Sequence, residues 1–253
     1  PDHMDRYDSF DDYAQAKNRI FIGCQVGVAP YGLQVECSMP ALLTFSDTDI
    51  LADFHVFSDT FCFQKEPIGR TDLMPLQGAH HRENTLAALA AVHSLGLPIA
   101  PCLSALQSFA GLPHRCELVG RYQGILWYND SKGTNVGATC RAILSVAESI
   151  SGPLLLIAGG LSKGADFMPL LPYLKQHVQG VILIGKDAAI LKKSFEAVVP
   201  VFFETTMLDA VKHAAKWANG KGAVLLSPAC ASFDMFSGYE DRGNQFICAV
   251  RDL

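Results

Sequence analysis

Leu154-Leu155-Leu156-Ile157-Ala158-Gly159-Gly160-Leu161-Ser162-Lys163-Gly164 is an apolar run of strand length that breaks into a polar, glycine-rich turn. A helical stretch from Asp166 to Lys175 follows, and the rhythm then repeats: Val181 to Ile184, Asp187 to Phe195, Val201 to Phe203, Met207 to Ala218 and Ala223 to Leu226, with a last helix to about Val250. Strands alternating with helices at this spacing predict right-handed βαβ units and a largely parallel, doubly wound sheet. Upstream, Cys116 to Tyr122 and Ile125 to Tyr128 flank Gln123-Gly124 as a hairpin, and Asn135 to Ser149 is a helix.

Gly111-Leu112-Pro113 punctuates the chain and marks a domain boundary, with domains 1–112 and 113–253. Before it, Phe10 to Ile20 has helical spacing and runs into a β-prone stretch from Phe21 to Ala29. Residues 33–72 alternate apolar and polar side chains in pieces broken by Pro40, Asp47, Ser58 and Gly69, which predicts short antiparallel strands. Arg82 to Leu95 is an alanine-rich amphipathic helix, and Ser104 to Ala110 a second one after Pro101.

The 253 residues are 49% apolar and 18% charged, the signature of a packed globular protein. A formal charge of -5 gives no general attraction to nucleic acid or anionic membrane, so an anionic ligand has to be held by local lysines and amides. The eight cysteines stand singly, without a CxxC pair, and no apolar run approaches the roughly 20 residues of a membrane span. Reduced thiols in a soluble, cytoplasmic protein are the expectation. The opening Pro1-Asp2-His3-Met4-Asp5-Arg6-Tyr7 reads as the middle of a longer protein, and truncation is expected.

Ligands of a doubly wound sheet bind beyond the strand C-termini. Three polar exits are available there: Asn129 to Asn135, Gly159 to Asp166, and Ser227 to Asp234. Gly159 to Gly164 resembles a phosphate or carboxylate cradle, although an ordinary βα turn with a solvated lysine has the same composition. Lys132 and Lys163 at neighbouring strand ends would repel by about 1 kcal/mol or more at an effective dielectric of ~20 unless an anion sat between them. Their convergence predicts an anionic substrate or a developing oxyanion.

Ser227-Pro228-Ala229-Cys230-Ala231-Ser232 carries hydroxyls suited to a carboxylate, or else Ser232 or Asp234 simply caps a helix. No GxSxG elbow marks a serine nucleophile, and nothing marks a histidine partner for Cys230. His3 and Lys17, read from chemistry alone, are surface groups, and His80-His81 is a polar turn. No GxxxxGK[ST] loop is present.

Taken together, these segments resemble the Mur ligases. The matching pieces are Asp2 to Tyr7, Leu112-Pro113-His114-Arg115, Asn129-Asp130-Ser131-Lys132-Gly133-Thr134-Asn135, Ser227 to Phe236, and Arg242-Gly243-Asn244. The resemblance implies the latter part of a P-loop-type central ATPase domain, without its Walker A loop, followed by a Rossmann-like C-terminal domain. It also implies a bacterial, monomeric enzyme that uses ATP and Mg²⁺. The acceptor carboxylate would be phosphorylated, and an incoming amine would displace phosphate. Ser227 to Phe236, and the absence of an Asp-Asn-Pro-Arg loop, point to the branch that adds D-glutamate to UDP-N-acetylmuramoyl-L-alanine.

By the same resemblance His3 would be a Mg²⁺ ligand and Lys17 a carbamylated lysine supporting the metal. Asn84, Arg115 and Asp130 would hold the nucleotide. Lys132, Thr134 and Lys163 would meet D-glutamate and the reacting centre, and Ser232 and Tyr239 would close on its side-chain carboxylate. The catalytic set implied is thus Lys17, Lys132 and Lys163. Two positions depart from the pattern: Tyr239 replaces an expected phenylalanine, and Leu161 stands where an aspartate is typical. A non-catalytic module that binds D-glutamate or nucleotide is the competing expectation for a chain without a Walker A loop.

Overall fold

The computed structural model describes residues 7, 9–35, 39–76 and 78–253. The chain divides into two compact units, Pro1–Ala110 and Gly111–Leu253.

The first unit is a five-stranded sheet of β1 (Val26–Pro30), β2 (Ala41–Ser46), β3 (Phe54–Phe57), β4 (Thr60–Phe63) and β5 (Glu66–Arg70), in that spatial order. After α1 (Phe10–Asn18) the chain enters this sheet, and α2 (Ala79–Ser94) and α3 (Ile99–Gln107) pack on it through Phe54, Phe61, Leu86, Leu89 and Leu103. The expectation of antiparallel strands over residues 33–72 fails for β2 and β3, which run parallel to each other and to β1, and holds for β3, β4 and β5. The reason is local. Ser58 and Asp59 both take left-handed φ values of 46° and 59°, which closes a two-residue hairpin between β3 and β4. Between β2 and β3, the Asp53 carboxylate instead takes the Thr44 amide and hydroxyl at 2.8 Å each, and the chain re-enters the sheet in its former direction. Helix α3 also begins earlier than expected, because Pro101 lies in its first turn, where a missing N–H costs no intrahelical bond.

The second unit is a six-stranded sheet. Its strands are β6 (Glu117–Tyr122), β7 (Ile125–Asn129), β8 (Leu154–Gly159), β9 (Val178–Ile184), β10 (Val201–Phe203) and β11 (Ala223–Leu226). Their spatial order is β10-β9-β8-β11-β7-β6, with all neighbours parallel except the β6–β7 hairpin. Every residue of β8 is buried. Leu154, Leu156 and Ala158 face one core with residues of α4 (Val136–Ser149), α5 (Leu171–His177) and α6 (Ala188–Phe195). Leu155 and Ile157 face the other with residues of α7 (Met207–Ala218) and α8 (Tyr239–Arg251). The period-2 alternation of a fully apolar strand thus feeds two helical layers, the mark of a parallel sheet covered on both faces. Among the described residues no helix is long and apolar enough to cross a membrane.

Candidate functional site

Strands β8, β11 and β7 are adjacent, so the three polar exits open side by side. After β7 the chain turns tightly: the Gly133 amide donates to the Asp130 carbonyl at 2.8 Å, and Asn135 caps α4 by accepting from the Ala138 amide at 2.9 Å. Gly133 is required here, because a Cβ would meet Ser227 Oγ at 2.6 Å and would also collide with the Asp130 carboxylate. After β8, Leu161 and Ala231 form an antiparallel bridge with N···O distances of 2.9 and 3.0 Å, which fastens this exit to that of β11. The Asp187 carboxylate takes both the amide and the hydroxyl of Ser162 at 2.8 Å. Lys163 then adopts a left-handed φ of 50°, a conformation that L-residues enter at a cost of roughly 1–2 kcal/mol. Two further non-glycine residues at these mouths do the same, His114 at 62° and Ala229 at 57°. Such strain, held by surrounding structure, concentrates at functional sites.

Beneath the mouths lies a buried polar layer. Asp130 Oδ2 accepts from Ser227 Oγ at 2.7 Å, and Oδ1 accepts from the Cys116 amide at 3.2 Å. Burial outweighs these hydrogen bonds and pushes the Asp130 carboxyl up to about 7. The protonated acid is therefore favoured in the folded state relative to the unfolded one. Stability from this group is complete below the ordinary carboxyl pKa of 3.8 and is lost as pH rises from there through about 7. Asp130→Asn should remove that loss. Relative to the native chain, the variant should gain about 2–3 kcal/mol between pH 5 and pH 8 in urea unfolding, at about 1.4 kcal/mol per pH unit. Parallel pH profiles for the two proteins would contradict the burial argument.

Arg242, 0% exposed, donates from Nε to Ser131 Oγ at 3.0 Å, from Nη1 to the Cys230 carbonyl at 3.1 Å and from Nη2 to the Ser131 carbonyl at 2.8 Å. Burial lowers its pKa to about 10, which still leaves it cationic at neutral pH. Burial also pushes the Cys230 thiol up to about 12, so this cysteine is a packed side chain and not a nucleophile.

Residues 114–230, which contain most of these exits, match the family described as Mur ligase, glutamate ligase domain. The matched residues lie within the second unit. The whole chain is 41% identical over 260 residues to the UDP-N-acetylmuramoylalanine--D-glutamate ligase of Coxiella burnetii. It is 42% identical over 267 residues to the enzyme of the same name from Nitrosococcus oceani. The chain spans 59% and 57% of the length of these two relatives. Among solved structures, 99% of the chain superposes on the UDP-N-acetylmuramate-alanine ligase MurC of Thermotoga maritima, with a TM-score of 0.71 and 15% identity over 57% of that chain. MurF ligase from Thermotoga maritima in complex with ADP gives a TM-score of 0.71 and 14% identity, over 99% of this chain and 60% of that one. At those identities the structures speak for the fold.

Within the second unit, Lys132, Thr134, Lys163 and Ser232 stand in the three exits and Tyr239 opens α8. Lys132 is half-buried, and its Nζ lies 3.9 Å from the Tyr239 ring centroid, a close cation–π contact. The Tyr239 hydroxyl hydrogen-bonds Glu240 and holds that carboxyl below its usual range. The departure from phenylalanine is thus taken up by a neighbour, and the ring face remains for Lys132. Lys163 is exposed, Ser232 is buried, and Arg115 is exposed beside His114, whose carbonyl accepts the Lys132 amide at 3.0 Å.

Three sequence expectations change. Lys132 and Lys163 leave strands that are not neighbours, because β11 stands between β7 and β8. The glycine turn after β8 spends amide donors inside the fold, from Gly159 to Pro228, Leu161 to Ala231 and Ser162 to Asp187, so anion contact falls to the Lys163 side chain. Ser232 and Asp234 cap no helix, since α8 starts only at Tyr239 behind Gly238.

In the other unit, Asn84 is an exposed residue of α2. Lys17 is exposed near the end of α1, with Nζ 5.4 Å from the Tyr13 ring. His3 lies outside the described residues. Among the described residues no group of three or more His, Cys, Asp or Glu side chains is arranged to hold a metal ion. Sequence reading assigned no role to Ser131, Asp187 or Arg242, and it offered the Ser227 hydroxyl to a ligand carboxylate where that hydroxyl donates to Asp130. The available signal was Arg242 itself, which falls on the buried stripe of α8 with Gly243, Phe246, Ala249 and Val250.

Proposed function

We propose that this chain is the nucleotide- and D-glutamate-binding portion of an ATP-dependent ligase acting in bacterial peptidoglycan precursor synthesis in the cytoplasm. The observation that carries the reading is the set of three adjacent exits presenting Lys132, Thr134, Lys163 and Ser232, in a chain about 40% identical throughout to D-glutamate-adding ligases. In this reading residues 1–112 are the latter part of the central ATPase domain and 113–253 the amino-acid-binding domain.

The acceptor is UDP-N-acetylmuramoyl-L-alanine. Its carboxylate oxygen attacks the γ-phosphorus of ATP, and ADP leaves. The D-glutamate amine then attacks the acyl carbon, loses a proton, and inorganic phosphate departs with its electron pair as the amide forms. Lys132 and Lys163 neutralise the carboxylates of D-glutamate and hold its amine in line, while Thr134, Ser232 and Tyr239 complete that pocket. Arg115 is assigned to the nucleotide, and Asn84 is assigned to it by the family resemblance. Asp130 acts behind Arg115, since both its oxygens already accept hydrogen bonds within the domain. ATP use agrees with the ADP bound in the Thermotoga maritima MurF ligase. Mg²⁺, with His3 and a carbamylated Lys17, follows from the family resemblance.

A second reading is a module that binds D-glutamate or nucleotide without turnover. Calorimetry on the 253-residue chain separates the possibilities. Binding of D-glutamate in preference to L-glutamate is expected, with ADP bound as well. Equal heats for the two enantiomers, or none for either, would remove the D-glutamate site.

A further inference from the structure

A buried guanidinium is a poor device for stability. Its desolvation costs several kcal/mol, which hydrogen bonds to neutral acceptors offset only in part. Arg242 has no exposed surface and donates to a serine hydroxyl and two backbone carbonyls, none of them charged, while the Asp234 and Asp130 carboxylates act on it only at longer range. Arginine is the cation best suited to such a place, since its planar fork serves several acceptors at fixed angles.

What those acceptors belong to decides the meaning. Ser131 immediately precedes Lys132 in the β7 exit, and Cys230 lies two residues before Ser232 in the β11 exit. The same Ser131 hydroxyl that accepts from Arg242 Nε donates to the Tyr239 carbonyl at 2.8 Å. Tyr239 sits one turn earlier on α8, and its ring carries the Lys132 ammonium. One turn of one helix therefore constrains Lys132 twice, through its backbone neighbour and through its side chain, and ties both to the loop bearing Ser232. Gly243 lets this helix close, because a Cβ there would strike the His114 ring.

We propose that Arg242 is a positioning residue that locks the β7 and β11 exit loops in one register, and that this register sets the affinity of the site for D-glutamate. The second half of this statement rests on the functional reading above. The first half stands on the domain alone.

Arg242→Met, which fills the space without donors, separates the two. By hydrogen exchange on the 253-residue chain, amides of 130–135 and 229–233 should exchange at least about tenfold faster, while those of β9 and α5 stay unchanged. In turnover by the full-length enzyme, KM for D-glutamate should rise about tenfold or more with KM for ATP unchanged. The melting temperature should fall, because the Ser131 and Cys230 carbonyls lose their donor, whereas a D-glutamate KM that rises with the ATP KM unchanged is what a merely stabilising residue would not give. If the methionine variant does not fold, Arg242→Lys, which keeps the charge and loses the fork, takes its place with the same expectations. A folded variant with unchanged exchange in both loops would overturn the lock. Faster exchange with an unchanged D-glutamate KM would overturn its role in affinity. Native enzyme indifferent to D-glutamate would overturn the functional reading, and the exchange data would still decide the lock.

Discussion

Lys163→Ala in the full-length enzyme should raise KM for D-glutamate by about a hundredfold or more and leave KM for ATP nearly unchanged. Removing one partner of a charge-assisted contact costs about 2–5 kcal/mol, and each 1.4 kcal/mol is tenfold. Lys163 is exposed, so the substitution removes little packing. Its backbone makes the test sharper. With φ at 50°, Lys163 holds a conformation that glycine enters freely, so Lys163→Gly should stabilise the domain by up to about 1 kcal/mol while weakening D-glutamate to the same degree as alanine. Urea unfolding and initial-rate kinetics on the two variants check both signs. A native D-glutamate KM in either variant removes Lys163 from the site.

The second large effect concerns the frame. Gly160→Ala should destabilise the second unit by about 3–5 kcal/mol and shift its thermal midpoint by ten degrees or more. Gly160 has φ of 133°, outside the range of ordinary L-residues, and a Cβ would run into the Ala231 carbonyl and come within 3.2 Å of Cys230 Cβ. The Ala231 carbonyl is the acceptor of the Leu161 amide in the bridge joining the β8 and β11 exits, so the new methyl pries apart the contact that brings Lys163 and Ser232 into one region. Gly164→Ala is the control. At φ of 73° with nothing within 4 Å, it meets only the backbone cost of about 1–2 kcal/mol. Equal effects of the two substitutions would show that the close approach at Gly160 does not matter.

How much of this was legible beforehand differs between the units. In the second, local pattern and tertiary structure agree: Met207–Ala218 and Ala223–Leu226 fall where periodicity put them, and Gln123-Gly124 forms its turn with both φ values positive. A fully apolar strand between glycine-rich ends has few other places to go than the middle of a parallel sheet. In the first unit the strands were legible and their directions were not. There Asp53 reaches back nine residues to Thr44 across the connection between two parallel strands, a contact that alternation of apolar and polar residues does not encode.

The site divides in the same way. The lysines were visible because an unpaired cation in a strand-end loop asks for an anion. The layer beneath them was hidden, because Asp130, Ser227 and Thr139 meet across 97 and 88 residues of chain through short hydroxyl contacts. A single arginine in a helix ordinarily reads as a solvated face, and only the apolar stripe on either side of Arg242 marks it as buried.

The most direct test of the ligase reading is phosphate release with ATP, Mg²⁺ and UDP-N-acetylmuramoyl-L-alanine, by this chain joined to the remaining length of its relatives. The account predicts release that begins on addition of D-glutamate and not of L-glutamate. Release that is independent of D-glutamate, or none under any of these conditions, would contradict it.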